Sequence, residues 1–166
     1  LTDYSRKGFV DGISLRLPTI CIRPGAPNRA ASGFFSGILR EPLAGLPAVL
    51  PVPDSTRHYF ASPRAAAGFF IHAAGIDTAS LGQRRALIMP GLSATVADEI
   101  AALDRVAGPE AVALIRREPD QLVAGIVAGW AEDYEATHAR ELGFEAEADM
   151  DAIIRVHLED ETGAAS

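Results

Sequence analysis

A chain of 166 residues with 48% apolar and 22% charged residues has the length of one domain, and it can bury roughly 70% of the surface its unfolded form exposes. The formal net charge of −7 and the scattered arginines argue against a nucleic-acid partner, whose binding needs a cationic surface that releases counterions. No apolar run reaches the ~20 residues of a membrane span, the start lacks a signal-peptide pattern, and the lone Cys21 permits no intrachain disulfide. A cytoplasmic compartment is therefore expected, with no nucleic acid and no membrane as partner. Residue 1 is Leu, from which membership of a longer polypeptide is expected.

In chain order, Asp11-Gly12 is a turn signal, and ISLRLPTICI, 13 to 22, reads as one parallel strand covered on both faces. Residues 23 to 33 read as a loop and Ser32 to about Leu39 as a short helix; AVLPV, 48 to 52, and RHYFAS, 57 to 62, read as extended pieces. Ser62 followed by Pro63 predicts a helix start, with Ala67, Phe70, Ile71 and Ala74 as its apolar stripe and Gly75 as its stop. RALIMP, 85 to 90, is the next predicted strand.

Thr95 with Asp98 and Glu99 predicts a capped helix whose apolar side is Val96, Ile100, Leu103 and Val106, closed by Gly108-Pro109. AVALIR, 111 to 116, reads as a strand and DQLVAGIV, 120 to 127, as a helix ended by Gly129-Trp130. Trp130 reads as a packing anchor. Two more helices are expected over 133 to 142 and 149 to 160, with Asp133 capping the first. Strands alternating with helices predict an α/β fold. His58, His72, His138 and His157 have no metal-ligand spacing to one another or to Cys21, so no metal site is expected.

DYSRKGFVDGISLRLPTICIRPGAPNRAASGFFSGILREPLAG together with DSTRHYFASPRAAAGFFIHAA resembles the extended short-chain dehydrogenase/reductases of the NAD-dependent epimerase/dehydratase type, most closely their dehydrogenases of four-carbon sugar acids. The likeness runs along nearly the whole chain. It implies the carboxyl-terminal part of a Rossmann-type fold: the end of the cofactor sheet in 1 to 25, and in 26 to 166 a small α/β substrate-binding domain with interleaved sheet strands. The catalytic pair of that family is Tyr-x-x-x-Lys on one helix face, an i, i+4 spacing. Tyr4 and Lys7 are spaced i, i+3 and run into Gly8, so they read as a fraying helix end. The resemblance places the catalytic pair upstream, and this chain is assigned no catalytic residue. The Gly-rich loop that lets a backbone approach a pyrophosphate is absent too: no G-x-x-G-x-x-G occurs in 1 to 166.

The same resemblance sets Leu17, Pro18, Thr19 and Ile20 beside the nicotinamide of NAD and the reacting carbon. Thr19 stands where members acting on larger sugars often carry Asn, which implies a smaller substrate. Arg57 matches the Arg of an Arg-Asp-Tyr/Phe-hydrophobic motif that holds the substrate's anionic part, a task suited to a guanidinium that donates two parallel hydrogen bonds; here His58 replaces the Asp. Asn28, Ser32, Gly33 and Phe34 match a pocket wall, although Ser32 also reads as a helix cap. Arg23 reads either as a second anion contact or as cover for the strand end.

The activity implied is oxidation of a secondary hydroxyl next to a carboxylate, with a small sugar acid as substrate. The alternatives are a nucleotide-sugar epimerase/dehydratase-type enzyme and a non-catalytic split-gene binding or assembly module. With its cofactor half missing, the chain is expected to be inactive alone, and to pair with that half or with itself.

Overall fold

The computed structural model describes residues 1–26, 30–82 and 84–162. A short helix α1 (Thr2–Arg6) leads to strands β1 (Ser14–Arg16) and β2 (Thr19–Ile20), helix α2 (Gly33–Leu43), and strands β3 (Ala48–Leu50) and β4 (Arg57–Ala61). Then come α3 (Pro63–Gly75), a 3-10 turn over Thr78–Leu81, β5 (Ala86–Ile88), β6 (Leu92–Thr95), α4 (Val96–Ala107), α5 (Pro109–Val112), β7 (Ile115–Arg117), α6 (Gln121–Val127), α7 (Thr137–Glu141) and α8 (Met150–Thr162). The α/β architecture holds. Its described strands form a parallel pair β1–β5, a three-stranded sheet in the order β2–β4–β6, and a parallel pair β3–β7.

The predicted continuous strand over 13 to 22 is two strands in two different sheets. Ser14, Leu15 and Arg16 pair with Ala86, Leu87 and Ile88, while Thr19 and Ile20 pair in parallel with Phe60 and Ala61 of β4. Pro18 is the physical reason, because a residue without an N–H cannot continue a ladder on both sides. The segment is also less covered than expected: Arg16 is exposed and Leu17 is 38% exposed. Gly91 makes the switch possible, since a Cβ there would lie 2.7 Å from the Phe60 carbonyl oxygen and 2.8 Å from Pro18.

Three other expectations are corrected. AVALIR is not one strand: Pro109, preset for the first turn of a helix, starts α5, and the chain becomes extended only at Ile115. The helix expected from 133 begins at Thr137, and Asp133 caps nothing, its carboxylate accepting from the Tyr134 N–H at 2.8 Å in a non-helical stretch. On α3 the buried residues are Ala66 and Phe69, whereas Ala67, Phe70, Ile71 and Ala74 face solvent. That helix is apolar nearly all round, so periodicity alone offers two stripes. Phe69 decides between them by packing with Leu81, Leu87 and Phe144.

Other signals hold as read. Ser62 accepts from the Ala65 N–H, and Thr95 and Asp98 form a reciprocal capping box; Asp120, expected as the first helical residue, instead caps α6, accepting from the N–H groups of Leu122 and Val123. Helix α2 runs four residues past Leu39, to Leu43, and buries Phe35, Ile38, Leu39 and Pro42 along one side. Gly45, at φ +73°, reverses the chain after it, with Leu46 N–H bonded to the Glu41 carbonyl at 2.8 Å.

Two apolar cores result. One gathers Cys21, Ile22, Phe35, Ile38, Leu39, Phe60, Leu103, Ile153 and Ile154 between α2, α4, α8 and the β2–β4–β6 sheet. The other holds Ala61, Phe69, Leu81, Leu87, Met89, Ala139 and Phe144 under β1, β5 and α3. Strand β4 divides them, with Phe60 facing the first and Ala61 the second.

Candidate functional site

Strand alternation places His58 and Phe60 on one side of β4 and Tyr59 and Ala61 on the other. The parallel register sets Thr19 opposite Phe60, and the Thr19 hydroxyl meets His58 Nε2 at 2.6 Å. His58 is only 7% exposed. Its ring stacks on Phe35 with centroids 4.8 Å apart and planes 7° from parallel, and stands edge-on to Phe60 at 5.4 Å. Trp130 approaches at 5.4 Å. Burial among these rings pushes the His58 pKa below its ordinary value, so the imidazole is neutral near pH 7. Its Nδ1 is buried without a hydrogen-bond partner.

Beneath this pair, Ser36 on α2 accepts from the Arg23 N–H at 3.1 Å and donates to the Ile20 carbonyl at 3.5 Å, tying the end of β2 to the helix. Cys21 and Glu99 lie deeper. Burial raises the pKa of both well above the usual values, the Cys21 thiol donates to the Phe35 carbonyl at 3.6 Å, and Glu99 Oε2 has no partner. Burial thus favours the protonated form of Glu99 inside the first core.

The candidate residues occupy separate places. Leu17 and Pro18 line a 140 Å³ cleft with Arg16, Ile88, Tyr59 and Tyr134, at the carboxyl ends of the parallel strands β1 and β5. Gly33 and Phe34 line another cleft, with Arg40, Glu41 and Val49. Arg57 lines a third, with Thr56, Ala128 and Glu132, and donates to the Ser93 carbonyl at 3.2 Å and the Ser93 hydroxyl at 3.4 Å. Among the described residues it has no carboxylate within ion-pair distance. Arg23 is exposed, and its carbonyl accepts from Arg40 at 2.7 Å. Ser32 occupies the N-cap place of α2 without a side-chain cap bond, and Asn28 lies outside the described residues. The structure thus joins Thr19 to His58, and Ile20 to Arg23 through Ser36, but it does not gather all the candidates in one pocket.

Sequence reading passed over His58, Phe35, Ser36 and Glu99. For His58 the signal was present: it replaces the Asp of the matched motif and sits one residue after Arg57, on the side of the strand that also carries Phe60. Glu99 had none, because an acid in the first turn of a helix ordinarily serves the helix end. No group of three or more His, Cys, Asp or Glu among the described residues is placed to hold a metal ion, and no described helix is long and apolar enough to cross a membrane.

No protein-family model matches the chain. It is similar to the D-erythronate dehydrogenase of Cupriavidus necator, 47% identical over 160 residues that cover 96% of this chain and 49% of the relative. It is also similar to the D-erythronate dehydrogenase of Haemophilus influenzae, 43% identical over 159 residues covering 96% and 50%. The chain spans about half the length of the curated relatives it matches. Among solved structures it superposes on one described as a nucleoside-diphosphate-sugar epimerase from Agrobacterium tumefaciens, with a TM-score of 0.97 and 64% identity over 99% of this chain and 48% of that one. An L-threonine dehydrogenase from Phytophthora infestans, with a TM-score of 0.82 at 17% identity over 98% of this chain and 52% of that one, shares the fold.

Proposed function

Because the chain belongs to the extended short-chain dehydrogenase/reductase family, we propose that it is the substrate-binding half of an NAD-dependent dehydrogenase of a four-carbon sugar acid. The reaction oxidises a secondary hydroxyl next to a carboxylate. The observation that supports this reading best is the pair of D-erythronate dehydrogenases, 47% and 43% identical along 96% of the chain.

The residues that follow β1 are the ones proposed to receive the cofactor. Leu17 and Pro18 form an apolar wall at the carboxyl ends of parallel strands, where open α/β sheets place ligands; Thr19 and Ile20 follow them in β2, with the Thr19 hydroxyl turned to His58. When bound, NAD supplies the acceptor for the hydride. This chain's own residues would exclude water around that ring, and Arg57 would hold the carboxylate through charge-assisted hydrogen bonds. The proton-accepting Tyr-x-x-x-Lys belongs, in this reading, to the other half of the polypeptide. That half is also the partner proposed to cover the exposed apolar side chains Leu17, Phe70 and Ile71.

The test is NAD reduction by the whole protein with D-erythronate. Arg57→Ala is expected to raise KM for the sugar acid roughly ten- to a hundredfold with little change for NAD. Equal effects on both, or none, return Arg57 to a structural role. A second reading, a nucleotide-sugar epimerase, is favoured by the 64% identity to the Agrobacterium tumefaciens protein. Interconversion of a nucleotide sugar with no oxidation of D-erythronate would replace the first reading by the second.

A further inference from the structure

The Thr19–His58 pair contains an asymmetry. The His58 ring is held from three sides, flat against Phe35, edge-on to Phe60 and near Trp130, so its two nitrogens cannot exchange places by a small rotation. Nε2 meets the Thr19 hydroxyl at 2.6 Å, while Nδ1 is buried with no partner. A neutral imidazole carries one proton, and the nitrogen without it is an acceptor. A proton on Nδ1 would be a buried N–H with nothing to donate to, a situation rarer in folded proteins than an unused acceptor. The proton therefore belongs on Nε2, aimed at Thr19 Oγ1.

If Nε2–H donates, Thr19 Oγ1 accepts, and its own proton is left over. Among the described residues that hydroxyl has no second partner, and Thr19 is half-buried, within reach of the surface. We infer that His58 is a positioning residue that fixes the Thr19 hydroxyl as a hydrogen-bond donor toward a carboxylate or hydroxyl oxygen of the substrate. This rests on the sugar-acid reading and deepens it. With the opposite tautomer Thr19 would offer only lone pairs and would select a donor such as an ammonium group. The stack on Phe35 keeps the arrangement in place before any ligand arrives, which is what a selective contact needs.

Two measurements on the whole protein test this. Long-range proton–nitrogen NMR on the ligand-free, 15N-labelled protein reads the tautomer: Nε2–H is expected, and a proton on Nδ1, or on both nitrogens at neutral pH, overturns the inference. Binding of D-erythronate is then compared in His58→Gln, whose terminal amide can still donate to Thr19, and His58→Phe, which keeps a stacking ring and loses the donor. His58→Phe is expected to bind about tenfold more weakly and His58→Gln within about threefold of the parent, with NAD affinity unchanged in both. Equal binding by all three overturns the positioning role while leaving the sugar-acid reading intact. A parent protein with the Nε2–H tautomer that binds no sugar acid overturns the reading beneath it, and the inference with it. Loss of fold in His58→Phe, checked by circular dichroism, leaves the decision to the tautomer and to His58→Gln.

Discussion

Around α2, α4 and α8, Phe35, Ile38, Leu39, Leu103, Ile153 and Ile154 are all fully buried, and the helices that carry them close over one another. Under β1, β5 and α3, Phe69 and Met89 are buried as completely, yet the opposite side of the same helix leaves Phe70 57% and Ile71 76% exposed. Both regions are apolar in composition; they differ in cover. Parallel strands normally carry helices on both faces, and a two-stranded sheet is marginal by itself. The β1–β5 pair has no third strand among the described residues, and Arg16 and Ala86 in it are exposed. Local stability should therefore be high around α2 and low around β1 and β5.

The largest test of this contrast is Phe35→Ala. It empties the middle of the first core and removes the ring on which His58 stacks, so it should cost about 3–5 kcal/mol in urea denaturation. A loss below about 1 kcal/mol would mean that the first core is as loosely closed as the second.

Next in size is the buried acid of the first core. Burial raises the Glu99 pKa well above 4.5, and Cys21 and Asp98 are the titratable groups that bear on it. The folded state then holds a proton that the unfolded state releases above about pH 4.5, so stability falls as pH rises from there toward the raised value. Glu99→Gln keeps the shape and cannot ionise. It is expected to flatten the fall in melting temperature as pH rises above about 4.5, and an unchanged slope would show that water reaches Glu99.

The boundary between the regions gives a smaller effect. Ser62 caps α3 and joins it to Glu147, which accepts from both the Ser62 N–H and its hydroxyl. Ser62→Ala should cost about 1–2 kcal/mol, and native-state hydrogen exchange should show the added opening in α3 while α4 and α8 stay protected. Equal loosening of both would mean the two cores open as one unit.

The first core was largely readable from the chain. Thr95 with Asp98 marks the start of α4 by local chemistry that tertiary packing did not alter, as Ser62-Pro63 does for α3, the clear local signal of the second region. The second region was not, because its signals compete. Pro18 sits inside a run whose β-branched neighbours read as one strand, and the helix PRAAAGFFIHAAG offers two apolar stripes of which packing selects one. The candidate site was legible in part: Thr19 was singled out through the family resemblance, but its partner lies 39 positions away, and only the register of β2 on β4 brings them together. Glu99 was hidden for a different reason, since nothing local distinguishes a buried acid from a helix-end acid until the neighbouring helices are in place.

The smallest expected change in stability belongs to Ile71, and it separates the two regions most cleanly. An exposed side chain on a helix makes few contacts to lose, so Ile71→Glu should shift stability by no more than about 0.5 kcal/mol. If the exposed side of α3 is covered in the assembled protein, that same charge would lie in an apolar contact and be strongly unfavourable there. Light scattering on the purified chain, with and without the proposed amino-terminal half supplied as a second polypeptide, reads the difference. Association that the parent chain shows and Ile71→Glu loses, at unchanged melting temperature, identifies α3 as the covered face. Association equal in both puts the covering contact elsewhere, on the Tyr4, Phe9 and Val10 side, where the same substitution at Phe9 provides the matching test. A parent chain that stays monomeric in both mixtures, with residues 14 to 16 strongly protected from exchange, would mean that the β1–β5 pair needs no further cover and that the contrast between the regions is one of appearance.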